Sequence, residues 1–193
     1  SKEIVLLGQN VNAYSSEKKT IADLLFELNN IKHLKRIRYT TSHPKDVTSY
    51  LIDAHQKCEK LMPFLHLPVQ SGSDKILKNM NRNHTISDYL NIINKFKEKK
   101  SSMRFSSDFI IGYPGETETD FDETMSLMKK VRFINSFSFI FSPRPGTPAA
   151  SKILVDNNLA KKRLQLFQNL SNEIKKDYRN KLIKTRAKVL FEN

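Results

Sequence analysis

Short apolar runs ending in Gly, Pro or small polar residues alternate along this chain with stretches whose apolar positions recur every three or four residues. Ile4-Val5-Leu6-Leu7 stops at Gly8, and an unbroken apolar run of this length fits a strand buried on both faces. After a polar loop over 9–19, Thr20 is placed to cap a helix with apolar positions Ile21, Leu24, Leu25 and Leu28. Ile37-Arg38-Tyr39-Thr40-Thr41 predicts a second strand that runs into Ser42-His43-Pro44. Asp46 is the expected cap of the next helix, which bears Val47, Leu51 and Ile52. Phe64-Leu65-His66-Leu67-Pro68-Val69 predicts a third strand, followed by the turn Gln70-Ser71-Gly72-Ser73 and a short helix. Thr85 with Asp88 forms a capping-box pattern ahead of Ile86, Tyr89, Leu90, Ile93 and Phe96. Ser106-Ser107-Asp108-Phe109-Ile110-Ile111 predicts a fourth strand. Gly112, Pro114 and Gly115 break it before a helix from Glu118 with Phe121, Met125 and Met128. A fifth strand over 137–141 closes in Ser142-Pro143-Arg144-Pro145-Gly146-Thr147-Pro148. A long helix follows, with Leu164, Phe167, Leu170, Ile174 and Tyr178 on one face.

Strands joined by helical crossovers should lie parallel with right-handed connections. The fold class is therefore α/β. A closed barrel of this type needs eight strands, so five imply a partial (β/α) barrel or a curved open sheet. Polar residues collect where the strands end: Gln9, Asn10 and Asn12; Ser42 and His43; Gln70, Ser71 and Ser73; Asp108 and Glu116; Ser142 and Arg144. That rim is where such sheets hold ligands. Turns also attract polar residues for local reasons, so the pattern fits either origin.

Composition narrows the partner. The 193 residues suffice for one domain with a sizeable core. Lys and Arg outnumber Asp and Glu by 33 to 20, a formal net charge of +13, which favours a polyanion, nucleic acid first. The alternative is lysine used for solubility. Over 161–188 ten Lys/Arg face only Glu173 and Asp177, enough to neutralise several phosphates if they share a surface. Cys58 is the single cysteine, which excludes an internal disulfide and points to a reducing compartment. No apolar run approaches the roughly 20 residues of a membrane span.

Among single residues Asp108 is the most informative. A carboxylate inside an apolar strand is costly to bury alone. It either accepts from ligand hydroxyl or amino groups, or pairs with Arg38, Arg104 or His66. The Gly112-Tyr113-Pro114-Gly115-Glu116 turn lacks the spacing of a nucleotide-phosphate loop. Its glycines permit either close approach to a flat ligand or tight strand-to-helix packing. His43, His66 and Asp108 form a conceivable metal set, though without a His-x-His pair, and Ser71 and Ser73 lack a nucleophile elbow.

Five segments carry a resemblance: Gly8-Gln9-Asn10-Val11-Asn12-Ala13-Tyr14, Thr40-Thr41-Ser42-His43-Pro44, Leu65-His66-Leu67-Pro68-Val69-Gln70-Ser71-Gly72-Ser73, the stretch 106–117, and 139–150. In this order and spacing they closely resemble the radical S-adenosylmethionine methylthiotransferases, and most of all a tRNA-acting branch. The sister branches, one acting on threonylcarbamoyl-adenosine in tRNA and one on a ribosomal protein, match less well at the Gln9 turn. The ribosomal-protein branch also matches less well at the Pro143-Arg144-Pro145 loop.

The resemblance implies a radical S-adenosylmethionine partial barrel with strands two to six present over 1–183, and the start of a C-terminal RNA-binding barrel over 184–193. It implies S-adenosylmethionine as cofactor. Gly8, Gln9 and Asn10 would lie at its methionine end, Gln70, Ser71 and Asp108 beside its ribose and reacting carbon, and Ile110, Gly112 and Glu116 along its adenine. His43, Arg144, Lys175 and Arg179 would face tRNA, where an anticodon-loop adenine, N6-isopentenylated at position 37, receives a methylthio group at C2. The family's Cys-x-x-x-Cys-x-x-Cys loop for a [4Fe–4S] cluster is absent, as are the cysteines for its second cluster. The chain is therefore expected to be part of a longer enzyme, inactive by itself, with no catalytic residue or metal ligand of its own. A cytoplasmic, monomeric full-length enzyme is implied, and a non-catalytic RNA-binding remnant is the alternative.

Overall fold

The computed structural model describes residues 1–191. Parallel strands alternate with helices, and the apolar sequence runs become strands with one side against the helix-packed core. Strand β1 (Glu3–Leu6) pairs parallel with β2 (Arg36–Tyr39), Glu3 opposite Arg36 and Leu6 opposite Tyr39. From β2 the ladder passes to the third strand by a single bridge, Ile37 to Leu61. β3 (Phe64–His66), β4 (Arg104–Ile111) and β5 (Asn135–Ile140) then follow in parallel order. The helices are α1 (Ile21–Asn29), α2 (Ser49–Lys57), α3 (Asp74–Asn79), α4 (Ile86–Lys99), α5 (Glu118–Val131) and α6 (Asn157–Leu182). This is the alternation of parallel strands and helical crossovers, an α/β arrangement, expected from the sequence.

The helix starts follow local chemistry. Reciprocal capping boxes open α1 (Thr20 with Asp23), α4 (Thr85 with Asp88) and α5 (Thr117 with Asp120). Two local expectations change. Asp46 does not cap α2: it ends the 3-10 turn Pro44–Asp46, Val47 is extended, and Thr48 accepts from the Leu51 amide at 3.1 Å instead. The loop over 9–19 also contains a small hairpin, Ser15–Ser16 against Lys19–Thr20, whose turn residues Glu17 and Lys18 have positive φ.

Along β4 the alternation separates two environments. Phe105, Ser107, Phe109 and Ile111 are buried under helices, with Phe109 packed against Phe133 and Phe167 at ring distances of 5.6 and 4.7 Å. Asp108 and Ile110 face the other way, and parallel register sets them beside Phe137 and Phe139. Those two rings remain 49% and 59% exposed. The sheet therefore has one helix-covered face and one open face.

The β3–β4 ladder is interrupted after Leu67, where the Val69 amide meets no β4 carbonyl. The Ser107 hydroxyl fills the gap, accepting from the Val69 amide at 2.9 Å and donating to the Leu67 carbonyl at 3.0 Å. The ladder resumes beyond it, where the Gln70 amide donates to Asp108 O at 3.0 Å and the Ile110 amide to Gln70 O at 2.9 Å. Replacing Ser107 by Ala leaves the buried Val69 amide without an acceptor. We expect a loss of about 1–3 kcal/mol in denaturant unfolding and faster exchange of the Val69 amide in native-state hydrogen exchange.

Helix α6 returns antiparallel to the strands. Near its start Ala160 packs on Gly112 at the carboxyl end of β4. Midway the Ser171 and Ser136 hydroxyls meet at 2.6 Å, and near its end Asp177 accepts from Arg132 at 2.9 Å. Beyond it, 185–191 have no regular secondary structure. The last two residues of the expected second barrel lie outside the described residues.

Candidate functional site

The carboxyl ends of the five strands gather the polar residues singled out above. The turn after β1 leans on the turn after β2: Asn12 donates to His43 O at 2.9 Å, the His43 amide donates to Asn12 Oδ1 at 2.8 Å, and Asn10 donates to Asp46 at 2.6 Å. Gly8, Gln9 and Asn10 stay exposed on that rim. On the next turn Gln70 takes a left-handed backbone with φ of 80°, a conformation that strains a non-glycine residue. The bridge to Phe109 holds it there.

Asp108 lies on the open face with its side chain 31% exposed, and His66 Nε2 stands 3.4 Å from its Oδ2. The other ring nitrogen of His66 meets the Ser106 hydroxyl at 2.7 Å, and Phe137 lies against the ring at 6.3 Å. Of the pairs conceivable from the sequence, His66 is the partner found. One side of the carboxylate remains open, ready to accept from hydroxyl or amino groups.

The α3–α4 loop brings two residues that the sequence reading missed, Arg82 and His84. The Arg82 guanidinium is partly buried, which lowers its proton affinity, while the charge of Asp108 opposes that shift. His84 stands edge-on to His43 at 5.8 Å, and both of its ring nitrogens are buried without a hydrogen-bond partner. Burial, then His43 and Arg82, push His84 down to about 4. His43 is also lowered, chiefly by burial and then by Arg82. Both rings are neutral at pH 7. The only hint in the sequence was position, since both residues stand in the polar stretch between two helices.

Several expected site residues are bound into the scaffold. Ser71 is buried, with its hydroxyl 3.4 Å from that of Thr124 on α5. The neighbouring Gly72 is needed there because a Cβ would stand 2.4 Å from Thr124 Cα. Glu116 is buried. Its Oε1 accepts from the Gly112 amide at 3.1 Å and from Arg163 at 2.9 Å, and the same guanidinium reaches Glu118 at 2.8 Å. Burial pushes the Glu116 carboxyl up, against the pull of Gly112 and Arg163. Gly112 has φ of 72°, and an added Cβ would meet Ala160 at 2.9 Å, so this glycine serves close helix packing. Ile110 lies half-buried on the open face.

The basic segment divides. Arg163 is 3% exposed and belongs to the buried pair, so it does not join a phosphate-binding surface. Arg144 is exposed on the loop after β5, at the strand carboxyl ends. Lys175 and Arg179 lie late in α6, away from the strand carboxyl ends that carry His43 and Arg144. Lys175 shares a groove with Phe137 and Phe139 of the open face, while Arg179 stands in the last turn of the helix.

Asp120 ties two of these turns together. It accepts from Ser73 at 2.7 Å, from Lys75 at 2.5 Å and from Thr117 at 2.6 Å. Burial opposes its ionisation, but the bonds from Lys75, Thr117 and Ser73 prevail and hold the carboxyl well below the usual carboxylate range. A carboxyl lowered by folding stabilises fully above its unfolded value, near 4, and loses that contribution as pH falls toward the folded value. Asp120→Asn should therefore cost about 2 kcal/mol at pH 7. It should also flatten the fall of thermal stability below pH 4 relative to the unaltered chain, as read by circular-dichroism melts.

Comparison with known proteins places this geometry. The model of the radical SAM superfamily matches residues 1–128. The chain is 54% identical over 201 aligned positions to the tRNA-2-methylthio-N(6)-dimethylallyladenosine synthase of Pelagibacter ubique (strain HTCC1062), covering 100% of the chain and 44% of that protein. To the protein of the same name from Neorickettsia sennetsu it is 49% identical, covering 99% of the chain and 42% of the relative. The chain thus spans less than half the length of these relatives. Among solved structures, archaeal Methanocaldococcus infernus Elp3 aligns with a TM-score of 0.60 at 15% identity over 96% of this chain and 56% of its own. Coproporphyrinogen III oxidase (HemN) from Escherichia coli aligns with 0.53 at 13% identity over 89% of this chain and 51% of its own. At these identities the structural matches speak for the fold alone.

Proposed function

The chain belongs to the radical SAM superfamily, and from that premise we propose that it forms the S-adenosylmethionine and substrate platform of a tRNA methylthiotransferase. The reaction is addition of a methylthio group to C2 of N6-isopentenyl-adenine 37 in the anticodon loop. The observation that carries this reading is the open face itself. Asp108 and His66 stand there beside Phe137 and the strained Gln70 turn, in a chain similar over its whole length to synthases of that name.

S-adenosylmethionine fits the residues present. Asp108 has a free accepting side for ribose hydroxyls, its negative charge suits a sulfonium, and Phe137 and Ile110 offer apolar walls to a flat adenine. Gly8, Gln9 and Asn10 stand on the same rim, where they would receive the methionine end. When bound, S-adenosylmethionine supplies the hydrogen-abstracting and methyl-donating chemistry. Gln70 would hold the ribose side through its fixed backbone. Glu116 acts through the turn it shapes, since its one carboxylate oxygen holds Gly112 and Arg163 together. Ser71 likewise positions α5 against the Gln70 turn. His43, with Asn12 at its backbone, and Arg144 are the RNA-side residues on this rim. A splayed adenine entering between them would meet the Asp108 face.

A [4Fe–4S] cluster does not fit the described residues. Thiolates hold such clusters, and the one cysteine, Cys58, is buried with its thiol toward Leu25 O. Among the described residues no three His, Cys, Asp or Glu side chains gather closely enough to hold a metal. In the proposed enzyme the cluster ligands come from other residues. Among the described residues no helix is long and apolar enough to cross a membrane. The stretch 184–193 is proposed to lead into an RNA-binding barrel.

Equilibrium dialysis with radiolabelled S-adenosylmethionine tests the platform. Gln9→Ala and Asp108→Asn should each weaken binding about tenfold, the value of one lost hydrogen bond, while far-ultraviolet circular dichroism stays unchanged. Unaltered affinity in both variants would remove the assignment. Reconstitution of the chain with iron and sulfide should leave no stoichiometric visible absorbance from a cluster.

A further inference from the structure

In a sheet of parallel strands with antiparallel helices, all helix carboxyl ends reach the pole opposite the strand carboxyl ends. Here three of them converge on one cleft of about 230 Å³. Lys97 comes from the last turn of α4, Lys130 from the last turn of α5 and Lys181 from the last turn of α6. Arg104 at the start of β4 and Arg132, the left-handed cap of α5, complete the lining. Two aromatic rings form its walls: Lys97 lies over Phe105 at 5.9 Å and Arg104 over Tyr178 at 5.7 Å.

Cations at helix carboxyl ends are favoured one helix at a time by the macrodipole. That preference acts on each helix separately and does not explain why Lys97 is half-buried in a cleft shared with the ends of two other helices. Lys97 is half-buried beside Arg104. Among the described residues, Lys97, Arg104, Lys130 and Lys181 have no carboxylate within bridging distance, and only Arg132 is paired, with exposed Asp177. Burial, then the charge of Arg104, lowers the proton affinity of Lys97. Lys130, Arg132 and Lys181 are exposed around the half-buried Lys97 and Arg104, and an anion seated among these like charges is attracted by all of them. Several cations spread over three helix ends match a chain of anions better than a single one.

We propose that this cleft, at the pole opposite the S-adenosylmethionine face, is a second binding site for the phosphate backbone of the tRNA substrate, with Phe105 and Tyr178 as apolar walls beside it. The proposal rests on the reading that the enzyme acts on tRNA. Helix α6, with 26 residues, is about 39 Å long at 1.5 Å per residue. It joins the Gly112 turn at one end to the cleft at the other, a separation that a folded RNA can bridge. Contact here adds affinity without touching the reacting adenine.

Fluorescence anisotropy of labelled, unmodified tRNA against the chain at several salt concentrations tests this. The variant Lys97→Gln, Lys130→Gln, Lys181→Gln should bind about tenfold more weakly near 0.1 M salt, and its log–log salt slope should fall by about 2. Lys2→Gln, Lys32→Gln, Lys35→Gln removes the same charge outside the cleft lining and away from the rim, and should leave binding within twofold. The charge-conserving Lys97→Arg, Lys130→Arg, Lys181→Arg variant should bind as the unaltered chain does, which separates charge from fold. Equal losses in the two Gln triples, or no loss in the cleft triple, overturn the cleft while leaving the tRNA reading intact. Absence of tRNA binding by the unaltered chain overturns both. Retained tRNA binding with loss of polyglutamate binding in the cleft triple also overturns the proposal, in favour of an acidic protein segment.

Discussion

One guanidinium, that of Arg163, holds together the region on which the open face depends. It binds Glu116 in the turn after β4, reaches Glu118 in the first turn of α5, and belongs to α6. Through Glu116 it also holds the Gly112 amide. Both partners of the central pair are almost fully buried, and removing either would strand a charge in the interior at a cost of several kcal/mol. The strand, its turn, the next helix and the last helix are therefore set relative to one another by one ion pair. Ala160 can then press on Gly112 without a gap.

The antiparallel return of α6 separates two chemistries. At the strand carboxyl ends the structure collects neutral histidines, one half-open carboxylate and backbone turns. At the other pole it collects cations from the ends of α4, α5 and α6. The division follows from topology. Parallel strands send every helix back the same way, and helix carboxyl ends favour Lys and Arg. A protein with an excess of positive charge thus carries much of it away from the face where its cofactor is proposed to bind.

Features decided within a few residues were legible in the sequence. The capping boxes at Thr85 and the stripe of α6 over Phe167 and Ile174 depend on local hydrogen bonds and on the 3.6-residue period. The misplaced cap at Asp46 shows the limit of local signals. The turn after His43-Pro44 keeps Val47 extended, so the helix waits for Thr48. The hairpin at Glu17-Lys18 was missed because its turn takes positive φ without Gly or Asn. Arg82 and His84 escaped notice because no spacing rule connects the α3–α4 loop to β2 or β4.

By itself the sequence determined the alternation of parallel strands and helices, the rim on which polar residues would collect, the single cysteine that cannot hold a cluster, and the family resemblance of its turns. Only the tertiary structure decided which of those polar residues are free to meet a ligand. Glu116 and Ser71 turned inward to Arg163 and Thr124, while Asp108 kept one side open beside His66. The reason is that a polar side chain is claimed by whichever partner the packing brings within hydrogen-bond reach. Those partners lie 47 and 53 residues away along the chain, beyond any pattern that local spacing can carry.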